Sequence, residues 1–261
     1  KKGDSASKTG YMKGNGTGAG KSISGVNSQK ESASAGTGKK SLQAILEELY
    51  QEYRDIVFLS GSSKSNKIAL TFDDGPSEVT SNQVMDILQR YDVKGTFFLV
   101  GQNVSQYPQV VARMVREGHV VGGHSWSHIQ LQKATPESIA REVADTENAI
   151  YRVTGLRPAF VRPPYGSLNR DGLEYLQRNG YKVINWSVDS LDWKYPNDSR
   201  QVLINVFKDV RGGSIILFHT LPGNDPSGII DTVLPQVICS LKSQGYRFVS
   251  VDELLDLPPY K

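Results

Sequence analysis

The pattern of apolar and polar positions changes near residue 41. Residues 1–40 contain nine Gly and seven Ser with only scattered apolar positions, too little apolar surface to offset the entropy of ordering the chain. We predict a flexible linker there. In the segment 41–66, apolar residues from Leu42 to Tyr53 recur at helical spacing behind Ser41, a typical N-cap residue. This predicts a connecting helix and loop.

From Lys67 onward, short β-branched or aromatic runs alternate with segments of helical periodicity. The predicted strands are 67–72, 95–101, 119–123, 159–163, 181–188, 214–219 and 246–251. The predicted helices are 81–91, 108–118, 136–155, 171–180, 199–212 and 231–245. This alternation predicts an α/β fold with a parallel sheet, either a barrel or a doubly wound sheet. About seven strands in one domain favour the barrel.

The charge distribution argues against a nucleic-acid-binding domain. The net charge of +3 divides into +6 for residues 1–40, with eight Lys against two acidic residues, and −3 for the rest. The basic character therefore belongs to the linker. Cys239 is the only cysteine; it excludes an internal disulfide, and its helical surroundings predict a buried position.

Two features of the sequence bear on where the protein is located. No apolar run approaches membrane-spanning length. The chain begins with Lys1 rather than Met, and we therefore expect that an upstream signal or anchor was removed.

Polar side chains cluster where the predicted strands end. In a parallel barrel, the carboxyl ends of the strands meet at one face, which carries the active site. The polar residues that follow predicted strands are Asp73, Asp74, His124, His128, Arg162, Asp189 and His219. Three of the four histidines are in this set, so we expect one site at this face.

The adjacent Asp73 and Asp74 need an explanation, because neighbouring side chains on a strand point to opposite faces. At the frayed end of a strand both can face one pocket, and such a pair requires a cation or a proton. Two histidines in H-x-x-x-H spacing and one carboxylate form a triad that binds a divalent ion and leaves positions open. One aspartate would then ligate the metal, and the other would accept a proton from water. The alternatives are an exposed Asp-Gly-Pro turn and two unrelated surface histidines.

Five segments, "TFDDGPS", "GHVVGGHSWSH", "RPPYG", "SVDSLDW" and "IILFH", resemble in order and spacing the motifs of the polysaccharide deacetylases, carbohydrate esterase family 4, also called the NodB homology domain. The resemblance spans Lys67 to Val251. It implies a distorted (β/α) barrel over residues 67–257 and metal-dependent removal of acetyl groups from sugars. One departure is Gly123, where the family commonly has Asn before the first metal-binding histidine; no ligand is lost by it.

The resemblance also assigns roles to the residues at the metal. It implies that Asp73 is the catalytic base and that Asp74, His124 and His128 bind one divalent metal ion. Zinc is the expected ion, with cobalt or nickel as substitutes. Arg162 would hold Asp73 in place and charged.

The remaining roles concern the acid and the acyl group. The resemblance implies that His219 is the catalytic acid, oriented by Asp189, and that the backbone N–H of Tyr165 helps to bind the oxyanion. Trp193 and Leu217 would line the pocket for the acetyl methyl group. An acid is required because an amide nitrogen is a poor leaving group until it is protonated.

Several other polar and aromatic residues receive structural interpretations. We expect His119 to point away from the site and Asp192 to hydrogen-bond within its own loop, with Asp189 favoured over it for catalysis. Trp126, Trp186 and Tyr195 are candidates both for stacking on sugar rings and for ordinary packing.

The sequence therefore predicts a metal-dependent hydrolase that removes N-acetyl groups from N-acetylglucosamine in a cell-wall glycan, with peptidoglycan as the leading substrate. The alternatives are a chitin or chitooligosaccharide deacetylase, an acetylxylan esterase, and a non-catalytic carbohydrate-binding wall protein. We expect an acetylated polysaccharide as the partner, no nucleic acid, and a monomer. The expected location is extracellular, at the surface of a bacterial cell, with the linker as a flexible spacer by which a surface-tethered enzyme reaches the insoluble polymer.

Overall fold

A computed structural model of the chain describes residues 42–220 and 229–261. The predicted linker over residues 1–40, the predicted N-cap Ser41 and most of the loop that follows His219 lie outside these described residues. Within them, no helix is both long and apolar enough to cross a membrane.

Nine strands and nine α-helices make up the described part of the chain. The strands are β1 (Val57–Phe58), β2 (Lys67–Asp73), β3 (Thr96–Leu99), β4 (Val120–Gly123), β5 (Phe160–Val161), β6 (Lys182–Ile184), β7 (Val188–Asp189), β8 (Ile215–His219) and β9 (Arg247–Phe248). The helices are α1 (Leu42–Glu52), α2 (Thr80–Arg90), α3 (Gly101–Gln106), α4 (Pro108–Arg116), α5 (Pro136–Thr154), α6 (Arg170–Arg178), α7 (Ser199–Asp209), α8 (Ile229–Ser243) and α9 (Val251–Leu255).

The strands form one parallel sheet in the order β1-β6-β5-β4-β3-β2-β8-β7, and β9 pairs with β2. Although β6 and β7 are consecutive in the chain, they lie toward opposite ends of this order. Only residues 185–187 join them, so the sheet must curl until its two ends approach each other. The predicted α/β class and the distorted barrel are therefore confirmed.

The strand count differs from the predicted seven for local reasons. The predicted strand 181–188 is two strands, because the hydrogen-bonding partner changes within it: Asn185 N donates to Phe58 O, whereas Ser187 N donates to Ile215 O. The strand β1 has two residues, too short for a pattern to predict, whereas β9 lies within the predicted strand 246–251. The predicted last strand also ends early, since α9 begins at Val251.

The core forms on both sides of β2, where every residue from Ile68 to Asp73 is buried. In a parallel barrel the helices cover the outer face of the strands and side chains fill the interior, so the central strands read as continuous apolar runs. The ring of Phe72 stacks between those of Phe97 and Phe218, at centroid distances of 5.0 and 6.1 Å. This packing fixes β3, β2 and β8 side by side and so aligns the residues that follow them.

The long helix α5 shows how the sequence sets the ends of an element. Thr135 is its N-cap and accepts a hydrogen bond from Ser138 N, and Pro136 occupies the first turn. The helix ends at Gly155, whose left-handed backbone (φ 71°) suits a glycine. On α8, by contrast, the prediction of a buried cysteine is wrong, because Cys239 is exposed.

Candidate active site

A cavity of about 530 Å³ lies at the carboxyl ends of the strands. The sequence analysis gave metal, catalytic or substrate roles to ten residues, and nine of them line this cavity: Asp73, Asp74, His124, His128, Tyr165, Asp189, Trp193, Leu217 and His219. Trp186 lines it as well. The tenth, Arg162, is fully buried and hydrogen-bonded to Asp73. The parallel sheet thus brings together side chains that are up to 146 positions apart in the chain.

The backbone at the end of β2 explains how two adjacent carboxylates reach one cavity. Asp73 is the last residue of β2 and lies in register with His219 of β8. Asp74 follows with a left-handed backbone, φ 72°, a conformation that is uncommon outside glycine and often marks functional sites. This turn directs the second carboxylate toward the same space instead of into the opposite face of the sheet.

Arg162, which follows β5, holds Asp73. Its Nη1 donates to Asp73 Oδ1 at 2.7 Å and to Thr71 Oγ1 at 2.8 Å. Its other nitrogens donate to the carbonyl oxygens of Ile184 and Asn185. Burial lowers the pKa of the Arg162 guanidinium, and the carboxylate of Asp73 opposes that effect. The pair fixes the orientation of the Asp73 carboxylate at the cavity wall.

Asp74, His124 and His128 form a cluster that suits a divalent metal. Their candidate ligand atoms all lie within 4.8 Å of one another, and Asp74 Oδ1 is 3.3 Å from His124 Nε2 and 3.0 Å from His128 Nε2. Asp74 Oδ1 is buried without a hydrogen-bond partner among the described residues, which an ion would supply. Two imidazoles and one carboxylate are a donor set of catalytic zinc sites. The residues therefore fit the expected metal.

Hydrogen bonds around the cluster hold the histidines in ligating orientation. His124 Nδ1 lies 2.7 Å from the carbonyl oxygen of Arg162, so its proton is on Nδ1 and the lone pair of Nε2 faces Asp74. Burial would lower the pKa of His124, but the nearby carboxylates of Asp73 and Asp74 raise it overall. Burial likewise raises the pKa of Asp74, and the two imidazoles beside it reverse this effect and lower the pKa.

A supporting residue that the sequence analysis missed is Glu142, on α5. Its carboxylate accepts hydrogen bonds from the backbone N–H groups of Trp126 and Ser127, both at 2.8 Å, and from Ser127 Oγ at 2.7 Å. These bonds fix the loop that carries His128, whose own backbone is left-handed (φ 59°). No local pattern could have indicated this role, because Glu142 lies 15 positions beyond Ser127 on a helix.

The expected partner of His219 is wrong. His219 Nδ1 lies 2.7 Å from Asp192 Oδ1, and His219 N donates to Asp192 Oδ2 at 2.8 Å, whereas Asp189 accepts from Leu191 N. The left-handed backbone at Leu191 (φ 54°) closes a local turn on Asp189 and carries Asp192 to the histidine. The prediction that Asp192 hydrogen-bonds within its own loop holds for Trp193 N, which donates to it, but the preference for Asp189 over Asp192 as the partner of the histidine is wrong.

The pairing of His219 with Asp192 determines the charge of the imidazole. Burial would lower the pKa of His219, but Asp192 foremost, with Asp73 and Asp74, raises it to about 9. Asp189 still lines the cavity; burial raises its pKa, while the Leu191 N–H and His219 act in the opposite direction. His219 is thus held in the imidazolium form near neutral pH.

The remaining predicted residues surround the space between base and acid. Tyr165 is exposed, has a left-handed backbone (φ 60°) and packs its ring edge-on to His128 at 5.2 Å. Leu217 is buried beneath the cavity, and Trp193 is 55% exposed at its rim. An apolar floor beside polar walls would accept a small acyl group.

Of the residues given structural interpretations, Trp186 lines the cavity and His119, Trp126 and Tyr195 do not. His119 is buried outside the cavity, where its Nδ1 accepts from Gly95 N, and burial lowers its pKa to about 4. The prediction that it is structural is confirmed. Trp126 and Tyr195 pack against the core, whereas Trp186 lines the cavity.

Comparison with known proteins gives a consistent set of relatives. The sequence model of the polysaccharide deacetylase family matches residues 60–184. A peptidoglycan-N-acetylglucosamine deacetylase of Bacillus cereus is 36% identical over 75% of this chain and 70% of that protein. The peptidoglycan-N-acetylglucosamine deacetylase PgdA of Listeria monocytogenes is 43% identical over 74% of this chain. The chain spans only 40% of the length of that Listeria relative.

A solved structure supports the same assignment at the level of the fold. The Bc1960 peptidoglycan N-acetylglucosamine deacetylase, in complex with 4-naphthalen-1-yl-N-oxidanyl-benzamide, superposes with a TM-score of 0.78 at 33% identity, covering 81% of this chain and 99% of that one. With a relative that aligns over most of its length and a shared barrel, the chain belongs to the polysaccharide deacetylase family, carbohydrate esterase family 4.

Proposed function

We propose that this chain is a metal-dependent deacetylase that removes N-acetyl groups from N-acetylglucosamine residues of peptidoglycan. The observation that carries the proposal is the pairing of Asp73 with His219 across adjacent strands β2 and β8. Each is held by its own buried partner, Arg162 for the carboxylate and Asp192 for the imidazole. A base and an acid thus flank the Asp74, His124 and His128 cluster.

The chain's own groups account for the proton transfers of amide hydrolysis. Asp73, kept charged by Arg162, would accept a proton from the attacking water, and His219 would donate one to the departing amine nitrogen. The backbone N–H of Tyr165 would stabilise the oxyanion, while Leu217 and Trp193 enclose the acetyl methyl group. A divalent ion on Asp74, His124 and His128 would supply Lewis acidity toward the carbonyl oxygen and the water.

For the ion itself we propose zinc, with cobalt or nickel as functional substitutes, because mixed imidazole and carboxylate ligands suit all three. We further infer that the protein acts as a monomer, since one chain supplies all the lining residues of the cavity given above.

We propose an extracellular location at the bacterial cell surface, where the wall polymer is accessible. The support is the nature of the proposed substrate and the excess of lysine in residues 1–40, which would be attracted to anionic wall polymers.

The test compares three substrates in parallel with zinc-loaded protein: peptidoglycan, N-acetylchitooligosaccharides and acetylxylan. Mass spectrometry of the products would assign each lost acetyl group to a sugar, including N-acetylmuramic acid in peptidoglycan. We expect loss from N-acetylglucosamine of peptidoglycan, and none with an Asp74→Asn control. Deacetylation confined to chitooligosaccharides or acetylxylan would contradict the proposed substrate, and binding to glycans without any product would support a non-catalytic wall protein instead.

A further inference from the structure

The turn that carries the proposed oxyanion donor has two successive residues with left-handed backbone. It follows β5 as a short 3₁₀ segment, Pro164–Gly166, in which Tyr165 has φ 60° and Gly166 has φ 68°. A left-handed conformation at a bulky residue such as tyrosine is costly and persists only where the surrounding structure imposes it. The contacts that impose this turn therefore decide where its backbone N–H groups point.

The backbone N–H of Tyr165 has no hydrogen-bond partner in the part of the chain that the structure describes. Its neighbours do have partners: Gly166 N donates to Pro163 O at 3.0 Å, and Ser167 N donates to Pro164 O at 3.5 Å. The two prolines have no N–H to donate. Within residues 163–167, Tyr165 thus supplies the free backbone donor that an oxyanion site requires.

Side chains from outside the turn hold it at Gly166. The carbonyl oxygen of Gly166 accepts hydrogen bonds from Tyr50 Oη and from Asn185 Nδ2, the latter at 3.0 Å. A Cβ at position 166 would lie 2.8 Å from the Trp186 ring, so the indole packs directly on this backbone and glycine is required there. Tyr50, Asn185 and Trp186 therefore fix the conformation of Gly166, next to the free N–H of Tyr165.

Two of these three residues belong to the barrel itself. Asn185 and Trp186 lie in the segment that joins β6 to β7. Asn185 also links the turn to the proposed base, because its carbonyl oxygen accepts from Arg162 Nη2 at 3.0 Å and Arg162 Nη1 donates to Asp73. Tyr50 differs from them, since it is on α1.

Helix α1 is anchored well enough to act as a support. Leu49 and Tyr50 pack against a buried cluster that includes Tyr53, Leu168 and Leu173. Burial raises the pKa of the Tyr50 phenol, so the hydroxyl remains protonated and remains a donor. The hydrogen bond to Gly166 O is therefore delivered from a fixed position.

We propose that Tyr50 is a positioning residue for the oxyanion site: its hydroxyl holds Gly166 O and thereby keeps the Tyr165 N–H directed into the catalytic cavity. Helix α1 is then part of the catalytic unit and not only a connection to it, although it lies before residue 60, where the match to the family's sequence model begins. The inference rests on the proposed deacetylase function for its substrate, whereas the geometry of the turn can be tested without one.

The first test is Tyr50→Phe, which removes the hydroxyl and keeps the ring. With zinc-loaded protein, we expect kcat on soluble peptidoglycan fragments to fall roughly tenfold with KM nearly unchanged, because the donor acts on charge that develops in the transition state. The loss is smaller than the about 10²–10³-fold cost of removing an oxyanion donor outright. Tyr53→Phe is the matched control on the same helix, since the Tyr53 hydroxyl accepts from Arg170 instead, and its kcat should not change.

An activated aryl acetate provides a second substrate, because its hydrolysis also passes through an oxyanion. Tyr50→Phe should lower kcat on it by a similar factor. If the unaltered protein deacetylated no glycan, the proposed function would fail, while this loss on the ester would still support the positioning role. Equal losses in Tyr50→Phe and Tyr53→Phe, or a rise in KM at constant kcat, would overturn the inference.

Hydrogen–deuterium exchange gives a readout that does not depend on activity. Exchange of the backbone amides of residues 165–167 should be faster in Tyr50→Phe than in the unaltered protein, and unchanged in Tyr53→Phe. Asn185→Ala releases the same carbonyl from the other hydrogen bond and should accelerate the same amides, which keeps the test open if Tyr50→Phe folds poorly. Unchanged exchange in both Tyr50→Phe and Asn185→Ala would show that Gly166 O does not hold the turn.

Discussion

Asp192 holds His219 at two points, through the ring at Nδ1 and through the backbone N–H. One carboxylate therefore fixes both the orientation of the imidazole and the end of β8 on which it stands. Asp189, three positions earlier, faces the same cavity, but one of its carboxylate oxygens accepts a hydrogen bond from the Leu191 N–H. The two aspartates should behave differently when each is replaced.

We expect Asp192→Asn to move the alkaline limb of kcat/KM to lower pH. In the proposed mechanism His219 must be protonated to release the amine, and its pKa is raised to about 9 chiefly by Asp192; we therefore expect activity to decline as pH rises through that pKa. Removing the charge lowers the pKa and the limb follows. Asp189→Asn should produce a smaller displacement. A pH profile in which Asp189→Asn gives the larger displacement would reverse the assignment.

His219→Ala should cost far more turnover on an N-acetylated sugar than on an activated aryl acetate. An amine departs only after protonation, whereas an aryloxide departs without it. Loss of a general acid is expected to lower kcat by about 10²–10⁴-fold on the amide. Parallel rate measurements on the two substrates provide the check. Equal losses on both would show that His219 acts before departure of the leaving group, for example at the oxyanion.

Asp73→Asn and Asp74→Asn should fail for different reasons. Asp74 completes the cluster with His124 and His128, so its variant should lose the metal as well as activity. Asp73→Asn should retain the metal and lose turnover. Metal content after dialysis, measured by atomic emission, distinguishes them, and chelation followed by zinc should abolish and restore activity of the unaltered protein. Comparable metal loss in both variants would contradict this division of roles.

Arg162→Met should destabilise the fold strongly. Arg162 is fully buried, with its guanidinium 4.1 Å from the centroid of the Phe98 ring, and its removal leaves Asp73 buried without its counter-ion. Breaking such a pair costs about 3–5 kcal/mol. Urea unfolding of metal-free protein measures this free energy. Arg170→Met is the control: the Arg170–Glu52 pair is half exposed, and we expect little change in the free energy of unfolding.

Removal of residues 1–40 should leave turnover on small soluble N-acetylated sugars nearly unchanged. The composition of this segment gives it no core to contribute, and any loss should be seen on insoluble wall material. Activity assays and thermal unfolding of the shortened chain check both points. A collapse of folding would mean that the segment is structural and that its composition was misinterpreted.

The sequence predicted the site well because a parallel barrel converts order along the chain into position at one face. Polar residues at the carboxyl ends of the strands arrive at or beside the cavity, which is why Asp73, His124 and His219 could be identified from the sequence. Choosing between Asp189 and Asp192 was beyond the pattern, because a single left-handed residue, Leu191, decides which one faces the histidine.

The same limit applies to the supporting parts of the fold. Glu142 reaches the histidine loop across a tertiary contact, and the two-residue strand β1 is defined by the strand beside it and not by its own residues. Left-handed turns such as the one at Leu191, and long-range contacts such as that of Glu142, leave no periodicity in the sequence.

Because the salt bridge between Arg162 and Asp73 lies in the protein interior, a substitution that removes the proposed base would also destabilise the fold. A descendant of this chain that no longer needed a proton acceptor could not discard Asp73 freely, because the guanidinium beneath it would be left without a counter-ion in the protein interior. Drift toward inactivity would begin more easily at the proposed metal ligand His128, whose side chain is 32% exposed, or would require both members of the pair to change together. A carboxylate at position 73 is therefore weaker evidence of retained activity than the complete set of ligands.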